Sequence, residues 1–298
     1  MRILTLPEIR RVLVYREIID RMGDALRADC DTPLPMHLDI APECAEVHIK
    51  SSYRRGGPYF ALKVASTFPK NHARGLPTGN GMMLLCSAET GEPVAMLADE
   101  GHLTDVRTAA VAAMVARDLG RRDAVLGILG TGIQARLQAR LHAEVLPLSR
   151  IVIWGRTPER AAACARELAG LGDVSVAASP AEVARAARLI VTATAARAPL
   201  LFADDLQPGT HISAVGSDGP GKQELDPEIL RRAGLLLVDS LRQCVRLGEL
   251  QHAPGESRRA RECGAIEPAP DAFSVADFTG LGVEDLFIAE YVYQRSVA

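Results

Sequence analysis

Ala124-Val125-Leu126-Gly127-Ile128-Leu129-Gly130-Thr131-Gly132-Ile133-Gln134-Ala135 is the stretch that decides the fold. It reads as an apolar strand, a glycine turn and the opening of a helix. Gly130, Gly132 and Ala135 fit G-x-G-x-x-A. Gly130 permits the tight turn, Gly132 lets backbone amides approach a pyrophosphate, and Ala135 lets helix and strand pack closely. The pyrophosphate would lie at the helix N-terminus, where Ile133 and Gln134 open the first turn. A plain structural glycine turn is the rival reading, and the units that follow weigh against it.

Downstream, Ile151–Trp154, Val174–Ala177, Leu189–Ala193, His211–Val215 and Leu235–Val238 are short apolar runs, most of them separated by helical segments. With Ala124–Leu129 they make six runs, which indicates a doubly wound parallel sheet. At the end of the second run, Arg156 and Thr157 stand where an acidic residue would normally bond a ribose 2′-hydroxyl. Arg156 suits a 2′-phosphate, which tilts the cofactor toward NADP over NAD; Arg156 stacked on adenine would serve either.

Upstream the period changes. Thr5-Leu6-Pro7-Glu8 reads as a capping box, with an apolar helical stripe from Val12 to Leu26. His48–Lys50, Tyr59–Ala65, Met82–Cys86 and Val94–Leu97 read as strands of an antiparallel, hairpin-rich sheet. An alanine-rich helix follows, capped by Thr104 and running to about Leu119, suited to bridging two domains. Residues 251–271 read as a polar loop and Val283–Gln294 as a helix returning to the first sheet. The expected organisation is an α/β chain. A substrate and dimerisation domain of α+β type with an antiparallel sheet takes residues 1–118 with 273–298. A central Rossmann domain takes 119–272.

Composition excludes several classes. With 34 basic and 37 acidic residues the net charge is −3, which offers no electrostatic footprint for nucleic acid or a membrane surface. The pairs Arg121-Arg122 and Arg258-Arg259 read as solvated surface. No apolar run reaches the roughly 18 residues of a membrane helix, and Glu8 and Glu17 interrupt any signal-peptide pattern. Six cysteines without C-x-x-C spacing fit a reduced cytoplasm. Seven histidines without H-E-x-x-H spacing give no expectation of a metal.

Several motifs occur in a set order: Leu62-Lys63-Val64, Gly75-Leu76-Pro77, Leu103-Thr104-Asp105-Val106-Arg107-Thr108-Ala109-Ala110, the Gly130 fingerprint, Ala214-Val215-Gly216-Ser217-Asp218, Glu224-Leu225-Asp226 and Val238-Asp239-Ser240. In that order the chain resembles the ornithine cyclodeaminase/μ-crystallin family over about residues 35–290. The resemblance implies hydride transfer at the α-carbon of a small amino or imino acid and a homodimer formed through the N-terminal sheet.

Within the resemblance Lys63 matches a substrate lysine, Arg107 an arginine near substrate and nicotinamide, and Asp218 a catalytic aspartate that moves a proton at nitrogen. Thr78, Gln134, Thr194, Val215, Lys222 and Thr279 match cofactor-lining positions, and Gly280 lies beside the substrate. Each has a plainer alternative: Arg107 in a salt bridge between domains, Asp218 as a turn residue. Lys63 is hard to explain as surface, since Leu62 and Val64 should face the other side of the strand.

The chain departs from the family at Pro35-Met36-His37, where relatives carry an arginine that grips the substrate carboxylate, and at His48-Ile49-Lys50, where they often have methionine-proline. Relatives often carry a helix over 252–272. His37 and Lys50 are expected to take over the carboxylate grip or to play plain structural roles. The combination of Met36–Asp39, Val47–Lys50, Pro58–Ala65 and Thr279–Asp285 looks like the ectoine-utilisation and imino-dicarboxylate-reducing branch. That branch would suit an anionic substrate such as iminosuccinate, with aspartate as product. The expectation is an NAD(P)H-dependent imino-acid reductase or amino-acid dehydrogenase. Cyclodeamination of ornithine and non-catalytic NADPH binding are its rivals.

Overall fold

The computed structural model describes residues 1–297. In chain order they form β1 (Arg2–Thr5), α1 (Leu6–Val12), α2 (Tyr15–Arg27), β2 (Cys30–Asp31), β3 (Met36–Ile40), β4 (Ala45–Arg54), β5 (Tyr59–Thr67), β6 (Gly79–Ser87), β7 (Pro93–Ala98) and α3 (His102–Asp118). Then come β8 (Val125–Leu129), α4 (Ile133–Val145), β9 (Arg150–Trp154), α5 (Pro158–Leu168), β10 (Asp173–Val176), α6 (Pro180–Ala186), β11 (Leu189–Thr192) and β12 (Arg197–Leu201). The chain ends with β13 (His211–Ala214), β14 (Gln223–Leu225), α7 (Pro227–Arg232), β15 (Leu235–Val238), α8 (Leu241–Leu247), β16 (Arg261–Glu262), β17 (Ser274–Asp277) and α9 (Gly282–Val297).

Two compact units result, Met1–Arg107 with Leu281–Ala298, and Thr108–Gly280. The first is built on the sheet β1-β7-β6-β5-β4-β2, with β3 added on β4. Apart from the parallel pair β1–β7, its strands run antiparallel. The capping box at Thr5 forms: Glu8 accepts from the Thr5 backbone N–H at 2.8 Å. The apolar stripe beyond it is broken into two helices at the extended residues Leu13 and Val14. Ile18, Ile19 and Met22 of α2 are fully buried, on the order of 1.5–3 kcal/mol each, which outweighs any helix propensity in fixing that face.

Strand alternation in this unit sends Ala61 and Lys63 inward, with Met83 and Leu85 as register partners. The opposite face carries a cross-strand row, Met36–Ile49–Val64–Met82. Met36, Val64 and Met82 in it are exposed, as are Leu38 and Ile40.

The second unit has the parallel sheet β10-β9-β8-β11-β13-β17-β15-β16. The six expected runs are all in it, and β17 adds a strand between β13 and β15. Gly127 is where β8 meets α6: a Cβ there would lie 2.6 Å from Val183 Cγ1. Leu129, Ile190, Ile212, Leu236 and Val275 form the core beneath the strand ends.

The reading of Arg121 as solvated surface does not hold, whereas Arg258 and Arg259 are exposed. Arg121 is buried, donating to Asp123, Gly209 O, Pro270 O and Arg188 O. Arg259 donates to the carbonyls of Leu230, Arg231 and Ala233 and so caps the C-terminal end of α7. These carbonyls have no intrahelical donor, which is why an arginine is held there. The same contacts order the segment expected as a loop, which forms two short 3-10 turns and β16. No helix among the described residues is long and apolar enough to cross a membrane.

Candidate active site

In the first unit the site grows from the register of β4 and β5. Lys50 and Lys63 are direct partners on the inward face. Two lysines side by side repel, and both are buried, Lys63 to 2 % exposure. The acid that compensates comes from α9. Asp285 takes Lys63 Nζ at 2.8 Å and Arg107 Nε at 3.1 Å, and Glu284 takes Arg107 Nη1 at 3.2 Å. Gly282 lets α9 start so close to β4, since a Cβ there would lie 2.5 Å from Ser51 O. Asp285 was not singled out from sequence, because its partner Lys63 lies 222 residues away.

Burial pushes Lys63 down to about 7; Asp285 works against that fall, while Arg107 and Lys50 add to it. Burial alone would raise Asp285, but Lys63, Arg107 and Lys50 together hold it below the usual carboxylate range. The ion pairs of Arg107 with Glu284 and Asp285 lie within the first unit. The helix α3 begins at His102, and the acceptor at its start is Asp99, which takes the Leu103 N–H at 2.7 Å. Thr104 therefore lies inside the helix and is not its cap.

His37 and His48 are register partners on β3 and β4, and alternation places His48 on the same face as Lys50. His37 Nε2 lies 3.0 Å from Asp39 and 3.9 Å from Glu46. A carboxylate brought to His37 would meet two like charges there, whereas Lys50 has Lys63 as its register partner. Thr78, in the same unit, is exposed just before β6.

In the second unit the glycine turn tests whether a dinucleotide fits. Gly130 has φ +133°, and a Cβ there would lie 2.6 Å from Ala193 O. Gly132 is the N-cap of α4, and a Cβ on it would meet nothing within 4 Å. The space before the amides of Ile133 and Gln134 is thus open, as a pyrophosphate requires. Arg156 and Thr157 are exposed after β9.

A ladder of buried acids holds the loops at the strand ends. Glu224 accepts from Thr194 N at 2.6 Å, Thr194 Oγ1 at 2.7 Å and Gly216 N at 3.0 Å. Glu249 accepts from the backbone N–H groups of Glu224 and Leu225, and Asp277 from those of Glu249 and Leu250. Asp239 accepts from Thr279 N at 2.7 Å and Gly280 N at 2.6 Å, and Gln243 donates to Thr279 Oγ1 and Gly280 O. Burial raises Glu224 and Asp277 to about 7 and Glu249 to about 9. Thr194, Gly216, Thr279 and Gly280 are therefore fixed by carboxyls that look like ordinary surface acids in the sequence, while the Val215 N–H donates to Thr192 O. Asp218, half exposed after β13, pairs with Lys222.

These features define a two-unit α/β protein with a dinucleotide cradle in one unit and a buried cation cluster in the other. The ornithine cyclodeaminase/mu-crystallin family model matches residues 14–298, and the chain belongs to that family. It is 39% identical to a putative dehydrogenase of Rhizobium meliloti over 100% of this chain and 96% of the relative. Among solved structures it is similar to a Delta(1)-pyrroline-2-carboxylate reductase of Thermococcus litoralis in complex with NADH and L-proline, at 25% identity. That match has a TM-score of 0.93 and covers 100% of this chain and 98% of the other. It is also similar to the iminosuccinate reductase of Paracoccus denitrificans in complex with NAD+, at 27% identity and a TM-score of 0.88, covering 100% and 96%.

Proposed function

We propose that this chain is a nicotinamide-dependent imino-acid reductase, running in reverse as an amino-acid dehydrogenase, with a small and preferably dicarboxylic substrate. The observation that carries the reading is the buried trio Lys50, Lys63 and Arg107 gathered around Asp285. Three buried cations are costly to keep, and a cluster this rich in donors suits an anionic ligand with more than one carboxylate. Membership of a family with imino-acid reductases supports the same class.

Lys63 and Arg107 bind and orient the α-carboxylate, while Asp285 and Glu284 hold the two cations in place. Lys50 takes the second carboxylate of a substrate such as iminosuccinate. A bound nicotinamide dinucleotide supplies the hydride for reduction and accepts it in the reverse direction. Asp218 gives a proton to the nitrogen, or takes it back, with Lys222 beside it. Gly130 and Gly132 leave room for the pyrophosphate, the acid ladder presents Thr194 and Thr279 to the cofactor, and Val215 lines it after β13. Arg156 favours NADP over NAD through a 2′-phosphate. The exposed row from Met36 to Met82 supports a homodimer formed through the first sheet. Six free cysteines support a reducing compartment such as the cytoplasm.

The test is nicotinamide oxidation with 2-oxo acids plus ammonia or methylamine, and with cyclic imines. Oxaloacetate with ammonia is expected to be the best pair. Turnover on monocarboxylates alone would remove the dicarboxylate assignment and leave the reductase class.

A further inference from the structure

We propose that His37, Glu46 and His48 form a binding site for a borderline divalent metal of the zinc type, with Asp39 as a further oxygen donor. The proposal does not depend on the reductase reading.

The sequence pattern is His-x-Asp on β3 followed by Glu-x-His on β4. Residues two apart on a strand share a face. The antiparallel register sets His37 opposite His48 and Asp39 opposite Glu46, so all four side chains emerge together. One donor atom from each of His37, Glu46 and His48 lies within 4.8 Å of the others. The separations are 3.9 Å from His37 Nε2 to Glu46 Oε2 and 3.5 Å from His48 Nε2 to Glu46 Oε2. Asp39 Oδ1 is 3.0 Å from His37 Nε2. A tetrahedral ion with ligands at about 2.0–2.2 Å needs donor atoms roughly 3.3–3.6 Å apart. The cluster brackets that spacing without backbone change. Asp39 is 81% exposed at its side chain and can turn to complete the shell.

Charge points the same way. Two neutral imidazoles with two carboxylates leave the cluster at −2, which a divalent cation balances. Two nitrogens and two oxygens select zinc-like ions over calcium or magnesium, which prefer all-oxygen shells. H-E-x-x-H is a helical spacing; the strand arrangement of the same ligand types has a period of two.

Such an ion would clamp β3, which among the described residues pairs with β4 alone. It would also put a fixed positive charge on the sheet face that carries Lys50.

The test is Zn2+ titration of the full, untagged chain by calorimetry, with Co2+ absorption reporting coordination geometry. The expected result is one equivalent per chain, tetrahedral Co2+ bands, and a melting temperature raised by Zn2+ but not by Mg2+. His48→Ala and the milder Glu46→Gln should each weaken binding at least about tenfold. Circular dichroism of each variant checks that it is folded. Binding of equal strength in a folded Glu46→Gln and wild type, or no Zn2+ uptake by wild type, would overturn the proposal.

Discussion

Replacing Asp285 with Asn keeps the shape of the side chain and removes the charge that serves both Lys63 at 2.8 Å and Arg107 at 3.1 Å. Removing one partner of a buried ion pair leaves the other uncompensated, at a cost of about 3–5 kcal/mol. At about 2–4 °C per kcal/mol, the melting temperature should fall by about 6–20 °C. The loss should depend on pH in a defined direction. Lys63 already sits near 7 because burial outweighs its partner, and Asp285 is what holds it up. Without Asp285 its value falls further. At pH 9 Lys63 is neutral in both proteins and little is lost on its account; at pH 6 the variant must carry a buried charge or give up its proton. Thermal unfolding at the two pH values should therefore show the larger deficit at pH 6. Arg107 stays charged throughout and keeps Glu284. The double variant Asp285→Asn with Lys63→Met should recover at least half of the loss, because an apolar side chain of similar volume needs no counter-ion. A deficit below about 1 kcal/mol, or one equal at pH 6 and pH 9, would refute the reasoning.

Gly132→Ala places a methyl group in open space. Its melting temperature should stay within the small range of a surface change, while dinucleotide affinity measured by nicotinamide fluorescence falls at least about tenfold. Arg156→Ala should lower kcat/KM for NADPH at least about tenfold and leave NADH nearly unaffected, as read from initial rates with both cofactors. Glu249→Gln removes a carboxyl whose folded value, about 9, lies above its unfolded one. Such a group stabilises fully below its unfolded value and loses that contribution as pH rises through 9. The melting temperature of Glu249→Gln relative to wild type should thus be more favourable at pH 9 than at pH 6.

The second unit was the more legible of the two, for a physical reason. Its apolar runs and the glycines at 130 and 132 are local signals that act over a dozen residues. β17 escaped notice, although Val275 and Ala276 are fully buried in the sheet, because Ser274-Val275-Ala276-Asp277 has only two apolar residues, flanked by polar ones. In the first unit, Lys63 inside an apolar strand was readable from alternation, but its acid was not. The register that opposes Lys50 to Lys63 and the return of α9 are tertiary facts. The same holds for Glu224, Glu249 and Asp277, whose burial raises them and whose partners are backbone amides brought together only by folding. Arg121 reads as solvated because composition cannot show that a neighbouring carbonyl lacks a donor.

The central claim is that the cation cluster and Asp218 serve reduction of an imino acid. The most direct measurement is the single-turnover rate of nicotinamide oxidation with an imino acid, in wild type and Asp218→Asn, alongside dinucleotide affinity. The account predicts turnover in wild type and a loss of about 10²–10⁴-fold in Asp218→Asn, with affinity and melting temperature unchanged. Equal rates in the two proteins would contradict it, as would ammonia release from ornithine with no net nicotinamide oxidation on any imine.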